Sequence, residues 1–155
     1  MTAEEHKALV RRYLEDVWSK GNTDVIDDVL SPNYTLRVLQ GSSGHEDRAL
    51  HGPQGVKQSV DLYHRAFSDL QITPQTIVAE GDRVVVEWTA HATHSGAFRG
   101  IAPTGKQLLY AAITIYRVEG GKIAEEVYLG DRLGLWQQLG LVPDSPKLAA
   151  EIGRD

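Results

Sequence analysis

Cysteine is absent from the 155 residues, which removes disulfides, thiolate zinc sites and thiol nucleophiles together and fits a reducing compartment. Basic residues are outnumbered, 16 Lys and Arg against 21 Asp and Glu for a net charge of −5. No Lys/Arg run stands out, so the electrostatic footprint that nucleic acid demands is missing. No apolar run could span a bilayer, and the opening MTAEEHKALVRRYLE lacks the apolar core of a signal peptide. Internal repeats and low-complexity segments are also missing. What remains is the expectation of a soluble, cytoplasmic protein with neither nucleic acid nor membrane as partner. Its length suits one compact domain with room for a ligand-sized hollow.

Helical periodicity comes first along the chain. Thr2 and Glu5 form a T-x-x-E capping box, and Val10, Tyr13, Leu14, Val17 and Trp18 follow at helical spacing up to Gly21. Thr23 or Asp24 can cap a short second helix that buries Val25, Ile26, Val29 and Leu30 and that Pro32 helps to end. A strand, YTLRVLQ, is next, then a polar segment, GSSGHEDRALHG, read as a mobile surface loop. Pro53 opens a third helix with Val56, Val60, Tyr63 and Phe67 on one face. Four strands complete the domain: LQITPQTIVAE, RVVVEWTAHATHS, KQLLYAAITIYRV and KIAEEVYLG. Helices followed by an antiparallel meander imply an α+β layout, a sheet covered by helices on one face. Residues 1–140 form the domain, and 141–155 a peripheral tail.

If Gly120-Gly121 is a two-residue turn, Glu119 faces Lys122, and counting outward pairs Tyr116 with Glu125, Thr114 with Val127 and Tyr110 with Asp131. Trp88, Ala90, Ala92 and His94 share one face of the neighbouring strand. The register between those strands stays open, so a meeting of His94 with Asp131 is a hypothesis.

Several stretches, VWSKGNTDVIDDVLSPNY, GPQGVKQSV, AFSDL, AEGDRVVVEW, THSGAFRGIAPTGK, GGKIAE and DRLGLWQQLG, together resemble the SnoaL-like polyketide cyclases of the nuclear-transport-factor-two-like superfamily. The resemblance implies a cone-shaped fold, with a curved, mainly antiparallel sheet wrapped by about three helices around a deep apolar pocket, and a homodimer. It also implies a cofactor-independent, metal-free enzyme in which Asp131, just before GLWQQLG, is the general acid/base of an intramolecular aldol closure. Two places depart from the usual pattern. Glu125-Glu126-Val127 stands where many relatives have Glu-x-Trp, and the loop from Gly41 to Leu50 is longer than typical. Both bear on the shape or entrance of the pocket.

Asp131 carries two readings that can coexist. As a helix N-cap it would contribute about 1 kcal/mol and stay ionised. As a pocket base it would be desolvated, with Tyr110 or His94 donating a hydrogen bond. A carboxylate can deprotonate a carbon flanked by two carbonyls when a donor stabilises the enolate oxygen in a dry site. The expected partner is therefore a small, apolar, carbonyl-containing molecule. The aromatic residues Tyr13, Trp18, Tyr34, Trp88, Tyr110, Tyr116 and Trp136 are expected as core, and in such a fold the same rings line the pocket. Leu36, Tyr63, Phe98, Thr114 and Val127 complete the expected lining, Phe98 reaching it from a rim loop.

Other constellations are weaker. His91 and His94 stand three apart on a strand, point to opposite faces and cannot chelate one metal. Ser95 beside His94 lacks a glycine-flanked elbow. His45 and His51 read as solvated, His6 carries no pattern, and His64 reads as packed. GAFRGIAPTGK lacks phosphate-loop spacing. Rival readings are water addition or epoxide opening, with Asp131 orienting water and Arg117 assisting, and a non-enzymatic module that binds a small apolar molecule. A purely structural or dimerisation role is the weakest of the rivals.

Overall fold

The computed structural model describes residues 1–39 and 50–143. Helix α1 (Ala3–Arg12) starts at the expected capping box, with Thr2 Oγ1 accepting from Glu5 N at 3.2 Å and Glu5 Oε2 accepting from Thr2 N at 2.6 Å. It continues through wider π-helical turns from Tyr13 to Ser19, and Val10, Tyr13, Leu14 and Val17 are all buried. Gly21, at φ +67°, turns the chain in the left-handed region that a side chain disfavours. The second helix starts differently from expectation. Asn22, not Thr23 or Asp24, accepts from Asp24 N at 3.2 Å and caps a tight turn, Thr23–Val25, that leads into α2 (Ile26–Val29). Leu30 already belongs to strand β1 (Leu30–Val38), and Pro32 lies inside that strand, where its pairing is irregular.

The end of the polar segment forms a two-residue strand, β2 (Leu50–His51), before α3 (Gly52–Ala66). The rest of that expected loop, His45 included, lies outside the described residues, as does the tail from 144 on. Strands β3 (Gln71–Glu80), β4 (Arg83–Thr93), β5 (Gln107–Glu119) and β6 (Lys122–Gly130) follow as the sequence pattern predicts. They join one curved six-stranded sheet in the order β2-β1-β6-β5-β4-β3, antiparallel throughout except between β1 and β6. Alternation divides each strand between two faces. On β4 and β5, Val84, Val86, Trp88, Ala112, Thr114 and Tyr116 are buried, while Val85, Leu109, Ile113 and Ile115 are exposed. Both α1 and α3 pack on the buried face. The architecture is therefore the expected α+β cone, with a fourth helix, α4 (Arg132–Gln138), added after β6.

The last hairpin corrects the expected register. Gly120 and Gly121 do form the turn, at φ +58° and +78°, and Glu119 faces Lys122. Between Val118 and Arg117 the register slips: Val118 pairs with Ile123 but Arg117 with Glu125, so Ala124 is the extra residue of a β-bulge. One inserted residue exchanges the two faces for everything beyond it. Tyr116 pairs with Glu126 instead of Glu125, Thr114 with Tyr128 instead of Val127, and Ala112 with Gly130. Val127 pairs with Ile115 on the outer face, away from the apolar cavity that Glu126 and Tyr128 turn inward to line. Asp131 donates its backbone N–H to Ala111 O at 3.0 Å and is not paired with Tyr110.

Candidate active site

The concave face of the sheet, α3, α4 and the π-helical end of the first helix enclose a cavity of about 310 Å³, within the range of small-molecule sites. It brings together eight of the expected residues: Trp18, Leu36, Tyr63, Trp88, Phe98, Tyr110, Tyr116 and Trp136. Most of the wall is aliphatic or aromatic, so the few polar groups that reach it set what can bind. Phe98 does arrive from the rim loop. A tight turn, Phe98 to Ile101 with mutual backbone hydrogen bonds of 2.9 and 2.8 Å, seats its ring 5.0 Å from Phe67 and 5.6 Å from Tyr63. Gly96 fixes the start of that loop: Ser95 N and Gly96 N both donate to Ala66 O at 3.0 Å. A Cβ on Gly96 would collide with the Arg65 carbonyl.

One polar group is a hydroxyl pair. Tyr110 and Tyr128 face each other across β5 and β6 and share a hydrogen bond, with Trp88 against both rings at centroid distances of 6.0 and 6.1 Å. Both hydroxyls lie over Gly130, where any Cβ would strike them. Burial raises both phenols above their usual range, so each stays protonated and able to donate. Arg132 lines the same part of the wall.

The second group is Glu126, 5% exposed and lining the cavity. Tyr34 donates to its Oε2 at 2.6 Å and Tyr13 to the same oxygen at 3.4 Å. Burial pushes this carboxyl up to about 7, against the opposing pull of the Tyr34 and Tyr13 hydroxyls. Sequence reasoning missed it. Strict alternation through KIAEEVYLG turned Glu125 inward, and the bulge at Ala124 reverses the choice. Glu125 instead lies outside, with Arg117 Nε at 3.1 Å and Arg83 Nη1 at 3.7 Å. A glutamate two residues from a tyrosine in a buried strand was the available signal, but its phase depended on the bulge.

Asp131 stands elsewhere. Its exposed side chain caps α4, Oδ1 accepting from Gly134 N at 2.9 Å, and it does not line the cavity. Its neighbours Gly130 and Arg132 place it beside the tyrosine pair. His94 is fully buried but also outside the cavity, behind Phe67 at a ring distance of 5.5 Å. Its Nδ1 accepts from the Thr104 backbone N–H at 3.2 Å, and Thr104 Oγ1 lies 3.0 Å away. A backbone N–H can only donate, so the proton of the neutral ring sits on Nε2, which has no partner among the described residues. The role the geometry gives His94 is to anchor the loop between β4 and β5.

Tyr13 and Tyr34 reach the cavity only through Glu126, and Thr114, also expected in the lining, is fully buried, where it accepts from Trp88 Nε1 at 3.0 Å. Ser95 lies 3.2 Å from Ser68 Oγ. His64 is packed, its Nε2 2.7 Å from Trp18 O, and His6 sits with Nδ1 3.1 Å from Gly81 O. His51 is exposed. Among the described residues no three His, Asp or Glu side chains gather as a metal site, and no helix is long and apolar enough to cross a membrane.

Comparison with known proteins agrees with this architecture. Aklanonic acid methyl ester cyclase AcmA from Streptomyces galilaeus is 28% identical over 137 residues, 88% of this chain and 91% of its own. The crystal structure of AclR from the same organism, described as a candidate hydroxylase, superposes with a TM-score of 0.81 at 29% identity, covering 97% of this chain and 90% of its own. A candidate polyketide cyclase from Acidithiobacillus ferrooxidans superposes with a TM-score of 0.74 at 32% identity, over 90% of this chain and 98% of its own. Residues 8–139 match the family model described as SnoaL-like polyketide cyclase; the chain belongs to that family.

Proposed function

We propose that this chain is a cofactor-independent enzyme of the cyclase type, closing a ring in a small, carbonyl-rich, apolar molecule by intramolecular aldol addition. The observation that carries this reading is the apolar cavity with the Tyr110–Tyr128 hydroxyl pair beside Asp131. AcmA and AclR carry different activity names on one scaffold, so the reaction has to be argued from the site.

In this reading the Asp131 carboxylate takes a proton from a carbon between two carbonyls. The electron pair released there forms the new C–C bond to a second carbonyl carbon, and the oxygen of that carbonyl takes the proton back. A tyrosine hydroxyl steadies the oxygen on which charge develops, and the cavity holds carbon and carbonyl within reach of each other. Asp131 has to turn from its cap on Gly134 toward the tyrosines, which forfeits about 1 kcal/mol of capping. Its exposed, capped position also favours a second reading, a binding module without turnover.

One experiment separates them. Linear polyketones are screened for ring closure by chromatography with mass spectrometry, the aldol product appearing as an isomer of its substrate, with wild type and Asp131→Asn side by side. Loss of turnover by orders of magnitude with affinity nearly unchanged is the expected result. Tight binding with no product from either protein would establish the binding module, and equal turnover in both would remove Asp131 from the chemistry. Product formed in ¹⁸O water without the label distinguishes aldol closure from water addition. The proposal extends to a homodimer formed through the outer face of the sheet, which exposes Val85, Leu109, Ile113, Ile115 and Leu129.

A further inference from the structure

Glu126 is the one buried carboxyl that lines the cavity among the described residues, and the aldol reading leaves it unused. It lies at the inner end, surrounded by Tyr13, Tyr34 and Tyr116, each no more than 1% exposed. Both tyrosine hydrogen bonds go to Oε2. When the group is protonated, the oxygen that accepts both hydroxyl donors is the carbonyl oxygen of the acid, which puts the acidic proton on Oε1. Oε1 has no protein partner among the described residues and is not closed off from the cavity.

We infer that Glu126 is a second binding site of the cavity, a carboxylic acid that donates its Oε1 proton in a hydrogen bond to a carbonyl oxygen at the inner end of the bound molecule. This rests on the reading of the cavity as the site of a carbonyl-bearing molecule, and it deepens that reading. Glu126 and Tyr128 share one face of β6 two residues apart, about 7 Å along the strand. A bound molecule therefore meets one donor at the inner end and another at the tyrosine pair. A chain bearing several carbonyls satisfies both, and a hydrocarbon or a monoketone does not.

The inner site is expected to be sensitive to pH. The groups facing Glu126 from each element packed on it are phenols: Tyr13 from the first helix, Tyr34 from β1, Tyr116 from β5 and Tyr128 on β6 itself. Burial raises all four well above neutrality, so they stay uncharged while the carboxyl titrates near 7. Below that pH the acid donates. Above it the carboxylate repels a carbonyl oxygen and the donor is gone.

The test uses benzophenone labelled with ¹³C at its carbonyl, a ketone that can neither enolise nor cyclise, with the label isolating its stretch by infrared difference spectroscopy. In the wild-type chain the stretch should be lowered below pH 7 and recover above it, with affinity falling about five-fold, the worth of one hydrogen bond. In Glu126→Gln the side-chain amide also donates, so the lowered stretch should persist at every pH. In Glu126→Leu the response of the stretch to pH should be absent. A wild-type stretch that ignores pH, or one unchanged in Glu126→Leu, would overturn the assignment while leaving the cavity reading intact. Should the Leu variant fail to fold, the Gln variant and the wild-type pH series still decide. Trp18, Trp88 and Trp136 all line the cavity, so no quenching of tryptophan fluorescence by benzophenone would mean that the ketone does not enter, which removes the cavity reading and this inference together.

Discussion

Tyr34 and Glu126, carried by the parallel neighbours β1 and β6, meet at 2.6 Å across the inner end of the cavity. The pairing stabilises an otherwise costly arrangement, since a carboxylate stripped of water is strongly disfavoured and remains in place only when protonated or well partnered.

The first prediction concerns stability against pH. Between the ordinary carboxyl value of 4.5 and about 7, the folded chain keeps the Glu126 proton that the unfolded chain releases. The native state binds more protons in that window, so stability falls as pH rises through it, by about 3 kcal/mol in all. Below 4.5 both states hold the proton and the contribution is fully present. Glu126→Gln removes the titration. Urea unfolding should find the variant close to wild type at pH 4.5 and more stable at pH 8 by up to about 3 kcal/mol. A difference that does not change with pH would show that Glu126 titrates normally.

Why this residue escaped the sequence while its surroundings did not is a matter of parity. The first helix, α3 and the four long strands each repeat their pattern over many residues, so one irregular position leaves the assignment intact. The apolar walls followed, and Trp88, Tyr110, Tyr116 and Phe98 were legible as lining. Polar residues in β6 depend on a single phase. Ala124 is as small and apolar as its neighbours demand, and nothing in its identity marks a bulge, yet it decides whether Glu125 or Glu126 turns inward. Asp131 was legible both as cap and as candidate base, because both need the same residue at the end of β6. His94 shares the inward face of Trp88 and Ala92, but β4 ends at Thr93 and the loop carries the imidazole behind Phe67.

A second prediction follows from the packing over Gly130. Gly130→Ala places a methyl group where the Tyr110 and Tyr128 hydroxyls meet. The rings must move apart, at a cost of about 1–3 kcal/mol for an overpacked site. Thermal unfolding should report the loss, and labelled ketone binding should weaken because Trp88 rests on both rings. An unchanged Tm together with unchanged binding would mean that the hydroxyl pair yields without consequence.

The third prediction separates anchoring from catalysis at His94. Leucine in its place fills similar space but leaves the Thr104 N–H without its acceptor. Losing one buried partner costs about 1–3 kcal/mol. Removing the unpartnered Nε2–H offsets part of that. His94→Leu should therefore lower Tm modestly and speed hydrogen exchange at the Thr104 amide, while turnover per folded molecule stays near wild type. A large loss of turnover with the Thr104 amide still protected would return His94 to the chemistry.

The last prediction tests the outer face of the sheet. Ile113 pairs with Leu129, and Ile115 lies between Val85 and Val127 on neighbouring strands, so these side chains form one continuous apolar patch. Ile113 and Leu129 are each 52% exposed, and such a patch on an isolated chain is an aggregation liability unless a partner covers it. In a two-fold dimer the same patch meets itself, so a lysine at Ile113 sets two charges into one desolvated seam. Within the monomer the same lysine reaches water and should alter stability by no more than about 0.5 kcal/mol. Sedimentation equilibrium at micromolar concentration should give a dimer for the wild-type chain and a folded monomer for Ile113→Lys. A monomeric wild-type chain, or a variant that still dimerises, would place the subunit contact elsewhere or remove it.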